Sequence, residues 1–171
     1  FTTGMAFDSA GSLYVTNFSA SNISKFDNTG ALLASNFVAN DAGAHNESIL
    51  FDASGNFYVG QPDGTDDIIK RAADGTFLAR FDVAIDARGS DWIDLATDQT
   101  TMFYTGEGRI IKQFDVGTNT QLANFATLPG SGTAFALRLL GDGGLLVADG
   151  SNVKRLDSAG TVVQTYDIAG E

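Results

Sequence analysis

The chain has 171 residues, 43% of them apolar, enough to bury one core and too few for two ordinary domains. A formal charge of −11 disfavours nucleic acid or an anionic membrane surface as a partner, since both call for a basic stripe, and no apolar run reaches bilayer-spanning length. With no cysteine and one histidine, disulfides, thiol nucleophiles and multi-histidine metal centres are excluded too.

Residues 3–8 read as an inner strand, followed by a tight turn in which Gly11 accepts a positive φ. Residues 12–16 form a second, mostly apolar strand, 23–27 a third and 32–37 a fourth, with Asn28-Thr29-Gly30 as the last turn. The opening segment, residues 5–15, returns as 49–59 and more loosely at 93–104 and 136–147. Its homologous apolar positions, Leu13, Phe57, Met102 and Leu145, are 44, 45 and 43 residues apart. Later third strands are expected at 68–72, 110–115 and 153–157, each with a lysine, giving the series Lys25, Lys70, Lys112 and Lys154. Fourth strands end on Phe37, Phe81, Phe125 and Tyr166, predicted to pack between repeats.

Four short strands per repeat at this period are one blade of a β-propeller, because so small a sheet buries its two faces only by stacking on its neighbours. The prediction is an all-β single repeat domain of four four-stranded antiparallel blades, at about 1–39, 40–83, 84–128 and 129–171. Four blades form either an arc of a larger propeller, the preferred reading, or a closed four-bladed ring. An arc predicts exposed apolar side chains on the end blades, Leu13, Val15, Leu145 and Val147, and as partners further blades or another copy of the chain. The chain opens on Phe1, already in a strand pattern, which suggests a processed or longer precursor.

Loops leading into the inner strands and those joining second to third strands share one rim in this architecture, where binding residues gather. That rim collects Asn17, Asp41, His45, Glu47, Arg88, Asp91, Trp92, Glu107, Arg109 and Asp149. Asp63, Asp66 and Asp67 form an oxygen-only set suited to calcium, although without the alternating spacing of a dedicated calcium loop. His45 could serve as a general base oriented by Glu47 or Asp41, against the plainer reading of a solvent-facing loop residue. Trp92 is either a stacking platform beside Arg88 or the first core residue of its strand. No nucleophile elbow is present.

Phe7-Asp8-Ser9-Ala10-Gly11-Ser12-Leu13-Tyr14-Val15 and its copy from Phe51 to Val59 share an F-D-x-x-G-x-x-Y-V core. With residues 88–95 and 146–149, they resemble NHL-type and YVTN-type propeller repeats of secreted or surface-associated bacterial proteins. The usual proline before the first strand is replaced by Thr3, Ser48, Trp92 and Phe135. The resemblance implies an extracellular or cell-surface setting. Similarity to gluconolactonase-like propellers further implies calcium held by Glu47 with Asn17 or Asp149. The expected function is a non-catalytic module that binds a protein or glycan, or assembles, through its polar rim. The alternatives are a metal-dependent gluconolactonase- or lyase-like enzyme and a structural spacer or filament subunit.

Overall fold

The computed structural model describes residues 1–39 and 44–167, and all the regular structure described there is strand. Asp41 lies outside the described residues. The chain divides into two compact units, Phe1–Val83 and Ala84–Glu171.

The first unit holds two antiparallel sheets whose strands neighbour in chain order. These are β1 (Thr2–Phe7), β2 (Leu13–Asn17), β3 (Asn22–Phe26) and β4 (Leu32–Val38), then β5 (Ser48–Phe51), β6 (Phe57–Gly60), β7 (Ile68–Arg71) and β8 (Phe77–Phe81). The second unit repeats the plan with β9 (Trp92–Leu95), β10 (Thr101–Thr105), β11 (Ile110–Asp115), β12 (Thr120–Gln121) and β13 (Ala126–Thr127). There the outer strand is broken, and both β12 and β13 pair with β11. The last sheet is β14 (Ala134–Leu139), β15 (Leu145–Asp149), β16 (Asn152–Leu156) and β17 (Val162–Asp167).

The hairpins are set by one local device. Asp8 Oδ1 accepts the amides of Ala10 and Ser12 at 3.0 and 2.8 Å, while Gly11 turns the chain at φ 81°. Asp52, Asp27 and Asp157 hold their turns in the same way, through the amides two and four residues on.

Successive side chains of a strand point to opposite faces, so within each unit the trailing face of one sheet can pack on the leading face of the next. In the first unit the trailing residues Tyr14, Ile23 and Val38 pack on the leading residues Ile49, Phe57 and Val59. The Tyr14 ring meets Phe51 edge-on at 5.0 Å between centroids. In the second unit Phe103, Ile111 and Ala126 pack on Leu137, Leu145, Val147 and Leu156. Each of these large side chains contributes about 1.5–3 kcal/mol when fully buried.

A hydroxyl ties the sheets together at one end. Thr16 Oγ1 accepts the Gly4 amide and donates to the Glu47 carbonyl, both at 2.7 Å. A Cβ on Gly4 would lie 2.4 Å from that carbonyl oxygen, so glycine is what permits the approach. At the homologous place in the second unit, the Thr105 hydroxyl donates to the Phe135 carbonyl.

Three expectations are corrected by register. Leu145 and Val147 are fully buried, because they share the leading face with Leu13 and Val15 and the third sheet covers them. Exposed apolar residues of the last sheet instead include Val153 and Tyr166, which pair with each other on its trailing face. The lysines do not form one series: Lys25 and Lys70 stand opposite Tyr14 and Tyr58, whereas Lys154 stands opposite Val147 and Lys112 opposite Tyr104. That offset of one residue sends Lys112 and Lys154 to the other face, where both are buried. Phe81 and Tyr166 align with Val38 and Ala126 rather than with Phe37 and Phe125. Phe37 and Phe125 pack between the sheets of their units as expected, Phe81 is buried against Tyr58 of its own sheet, and Tyr166 remains exposed. In the first unit Met5 and Phe7 on the leading face of the first sheet are exposed, and in the second unit Val153 and Tyr166 on the trailing face of the fourth sheet are exposed.

Candidate functional site

In the first unit the rim is built around His45. Its amide bonds the Asp63 carbonyl at 3.2 Å, and Nδ1 lies 3.4 Å from Asp63 Oδ2. The imidazole rests on Phe18, 4.4 Å between centroids, and Phe18 stacks on Phe1. Among the described residues Asp63, rather than Glu47, is therefore the carboxylate that orients the histidine. Eighteen residues separate the pair, so only the pairing of the two loops reveals it.

The neighbouring polar side chains are engaged. Gln61 Nε2 donates to Asn46 Oδ1 at 2.9 Å and Gln61 Oε1 accepts from Thr65 at 2.5 Å. The Asn17 amide donates to Asn22 and Ser24, each at 2.8 Å, and thereby closes the β2–β3 hairpin. Glu47 is half-buried and serves through its backbone: its amide bonds Gly60, and its carbonyl accepts from Thr3 and Thr16.

In the second unit Arg88 Nε pairs with Glu107 Oε2 at 3.3 Å, and Asp91 is buried with its amide on the Thr105 carbonyl. Trp92 opens β9 half-buried and packs against the apolar cluster of its unit, so its body is a packing element. The most concentrated charge group lies at Asp149, whose carboxylate is gripped by Arg109 and by Lys154 at 2.7 Å. Arg109 also reaches the Pro129 carbonyl, and Lys154 donates to Asn152 Oδ1 at 2.7 Å. Burial alone would raise the Asp149 carboxyl, but Arg109 and Lys154 outweigh it and hold it below the ordinary aspartate range. Beside this group, residues 129–132 and 149–152 with Lys154 line a polar cavity of about 380 Å³. Sequence reading named Arg109 and Asp149 without seeing that Lys154 completes them across a two-residue hairpin turn.

Among the described residues the carboxylates proposed for calcium are largely engaged elsewhere. Asp63 faces His45, Asp67 pairs with Arg80 at 3.2 Å, Asp66 occupies a left-handed turn position at φ 64°, and Asp149 is neutralised by two cations. Among the described residues no three His, Cys, Asp or Glu side chains converge as a metal site. Desolvation, with repulsion from Asp82 and Asp66, raises the Asp67 carboxyl against the opposing pull of Arg80.

The sheets and their stacking define a β-propeller type of repeat protein. A gluconolactonase from Xanthomonas campestris superposes with a TM-score of 0.79 at 17% identity, over 99% of this chain and 63% of its own. A structure described as a streptogramin B lyase superposes at 0.73 and 17% identity, over 98% of this chain and 55% of its own. The catalytically inactive H270A virginiamycin B lyase from Staphylococcus aureus, solved with quinupristin, superposes at 0.75 and 13% identity, over 99% and 56%. The chain thus has the propeller fold and spans little more than half the length of these propellers. No family model matches the sequence, and no curated protein matches it.

Proposed function

We propose that these four blades form part of a propeller enzyme of the lactonase and lyase kind, acting on a small polar ligand at the rim, with the rest of the ring supplied from outside these four blades. The observation that carries this reading is the likeness of nearly the whole chain to propellers of that kind. His45 is the residue suited to proton transfer. Asp63 steadies Nδ1, and Nε2 is left for a substrate proton. No step is routed through a metal, because Asp63, Asp67 and Asp149 are turned to His45, to Arg80, and to Arg109 and Lys154. The NHL- and YVTN-type motif supports an extracellular or cell-surface setting.

The test is turnover of gluconolactone and of quinupristin by the protein, followed by His45→Ala and Asp63→Asn. A loss of about 10²–10⁴-fold in kcat for His45→Ala is expected, with a smaller loss and an altered pH profile for Asp63→Asn. No turnover, or a His45→Ala variant as active as the parent, overturns the reading.

A further inference from the structure

At the end of its central hairpin the fourth sheet carries a charged clasp where the first sheet uses a neutral one. Register makes Asp149, Asn152 and Lys154 the equivalents of Asn17, Asn22 and Ser24. The Asn17 amide closes its hairpin by donating to Asn22 and Ser24, so charge is not what the turn needs. In the fourth sheet one carboxylate, 2% exposed, meets two cations: Arg109 bonds both of its oxygens, and Lys154, 7% exposed, reaches Oδ2 at 2.7 Å. Taking three charges out of water is costly, and this cluster keeps one positive charge in excess. Asp167, opposite Asn152 on β17, is exposed, where water screens its charge. An ammonium has three N–H donors, of which Asp149 and Asn152 take two. Arg109 Nε is buried with no acceptor among the described residues. The cluster thus has both charge and donors left over.

Lys154 forms part of the wall of the polar cavity of about 380 Å³ between residues 129–132 and 149–152. The Gly150 amide holds the two loops together through the Thr133 carbonyl at 2.9 Å. A Cβ on Gly132 would lie 2.5 Å from Asp149 Oδ1, so the wall beside the carboxylate is bare backbone. Ser131 and Ser151 line the same cavity and are exposed.

We propose that this cavity binds a small organic acid rich in hydroxyl groups, of the sugar-acid class, with its carboxylate on Lys154 Nζ and its hydroxyls on Ser131, Ser151 and the backbone of the glycine-containing loop. Such a carboxylate neutralises the excess charge and takes the remaining ammonium donor in a charge-assisted bond, the stronger kind. The cavity volume lies within the range of small-ligand sites. The inference does not rest on the reading of His45, which belongs to the other unit, and its failure leaves that reading standing.

Titration of the protein with glucuronate, read by residue-resolved amide shifts in NMR, tests it against glucose, a neutral sugar of the same ring size, and acetate, a carboxylate without hydroxyls. Shifts are expected to saturate at residues 129–132 and 149–154, with glucuronate bound at least about tenfold more tightly than glucose or acetate. Ser131→Asp adds a like charge at an exposed position and is expected to weaken glucuronate at least about tenfold, with circular dichroism unchanged. Lys154→Met is expected to abolish the saturating shifts. Because it also removes a buried partner of Asp149, its fold is checked in the same amide spectrum, and Ser131→Asp decides the matter should that variant unfold. Shifts that never saturate or centre elsewhere, glucose or acetate bound as tightly as glucuronate, or an affinity unchanged in Ser131→Asp would overturn the proposal.

Discussion

At the scale of single residues, the fold depends on small polar groups that sequence periodicity does not weigh. Thr16 looks like an ordinary strand residue, yet its hydroxyl is fully buried and serves both the Gly4 amide and the Glu47 carbonyl. Thr16→Val keeps the shape, strands the Gly4 amide and leaves the Glu47 carbonyl to Thr3 alone, so a loss of about 1–3 kcal/mol is expected in urea unfolding. Thr105→Val is expected to fall in the same range, since Thr105 bonds Phe135 at the equivalent place. A cost for Thr16→Val no larger than that of an exposed threonine would show that the hydroxyl does not hold the sheets together. The threonine was visible in the sequence at both positions. Its role was not, because the acceptor lies 31 residues away across a sheet junction.

At the scale of the strand and hairpin, turn aspartates govern the response to acid. In Asp8, partial burial opposes the shift but the amides of Ser12 and Ala10 prevail, and in Asp27 the Thr29 hydroxyl leads; both carboxyls are held below their ordinary value. Asp74, Asp98, Asp115 and Asp142 are lowered mainly by backbone amides of their own turns. Asp52 is lowered by Asn56 and Lys70 despite desolvation. Groups with lowered folded-state values stabilise fully above the unfolded value of about 3.9, and that contribution is lost as pH falls through the folded values. Asp67, raised by burial, has the opposite sign and gains from protonation. Stability measured by urea unfolding is therefore expected to fall steeply below about pH 4. Asp52→Asn should cost about 1–2 kcal/mol at neutral pH and flatten that limb, while Asp67→Asn should leave the limb in place. An acid limb unchanged in Asp52→Asn would contradict this account.

Strand positions and turns were legible at this scale because alternating apolar residues between Asp- and Gly-containing turns encode them locally. Register was less so. The shift of Lys112 and Lys154 by one position relative to Lys25 and Lys70 moves a lysine from above a tyrosine ring to the buried opposite face, and nothing in the local pattern marks the change. The rim was legible only as a set of polar loop residues. Pairing His45 with Asp63, and Asp149 with Lys154 as well as Arg109, required the folded loops.

At the scale of the molecule, the claim beneath everything else is that the chain is one sheet design repeated four times and stabilised by face-to-face stacking. Second and third strands are bonded along both edges, whereas the first and last strands of each sheet leave one edge free. Residue-resolved hydrogen exchange on the native chain reads this directly. Protection is expected to peak four times, over β2, β6, β10 and β15 with their third-strand partners, and to drop at each turn between sheets. A single protected block, or maxima that do not recur once per repeat, would contradict the account.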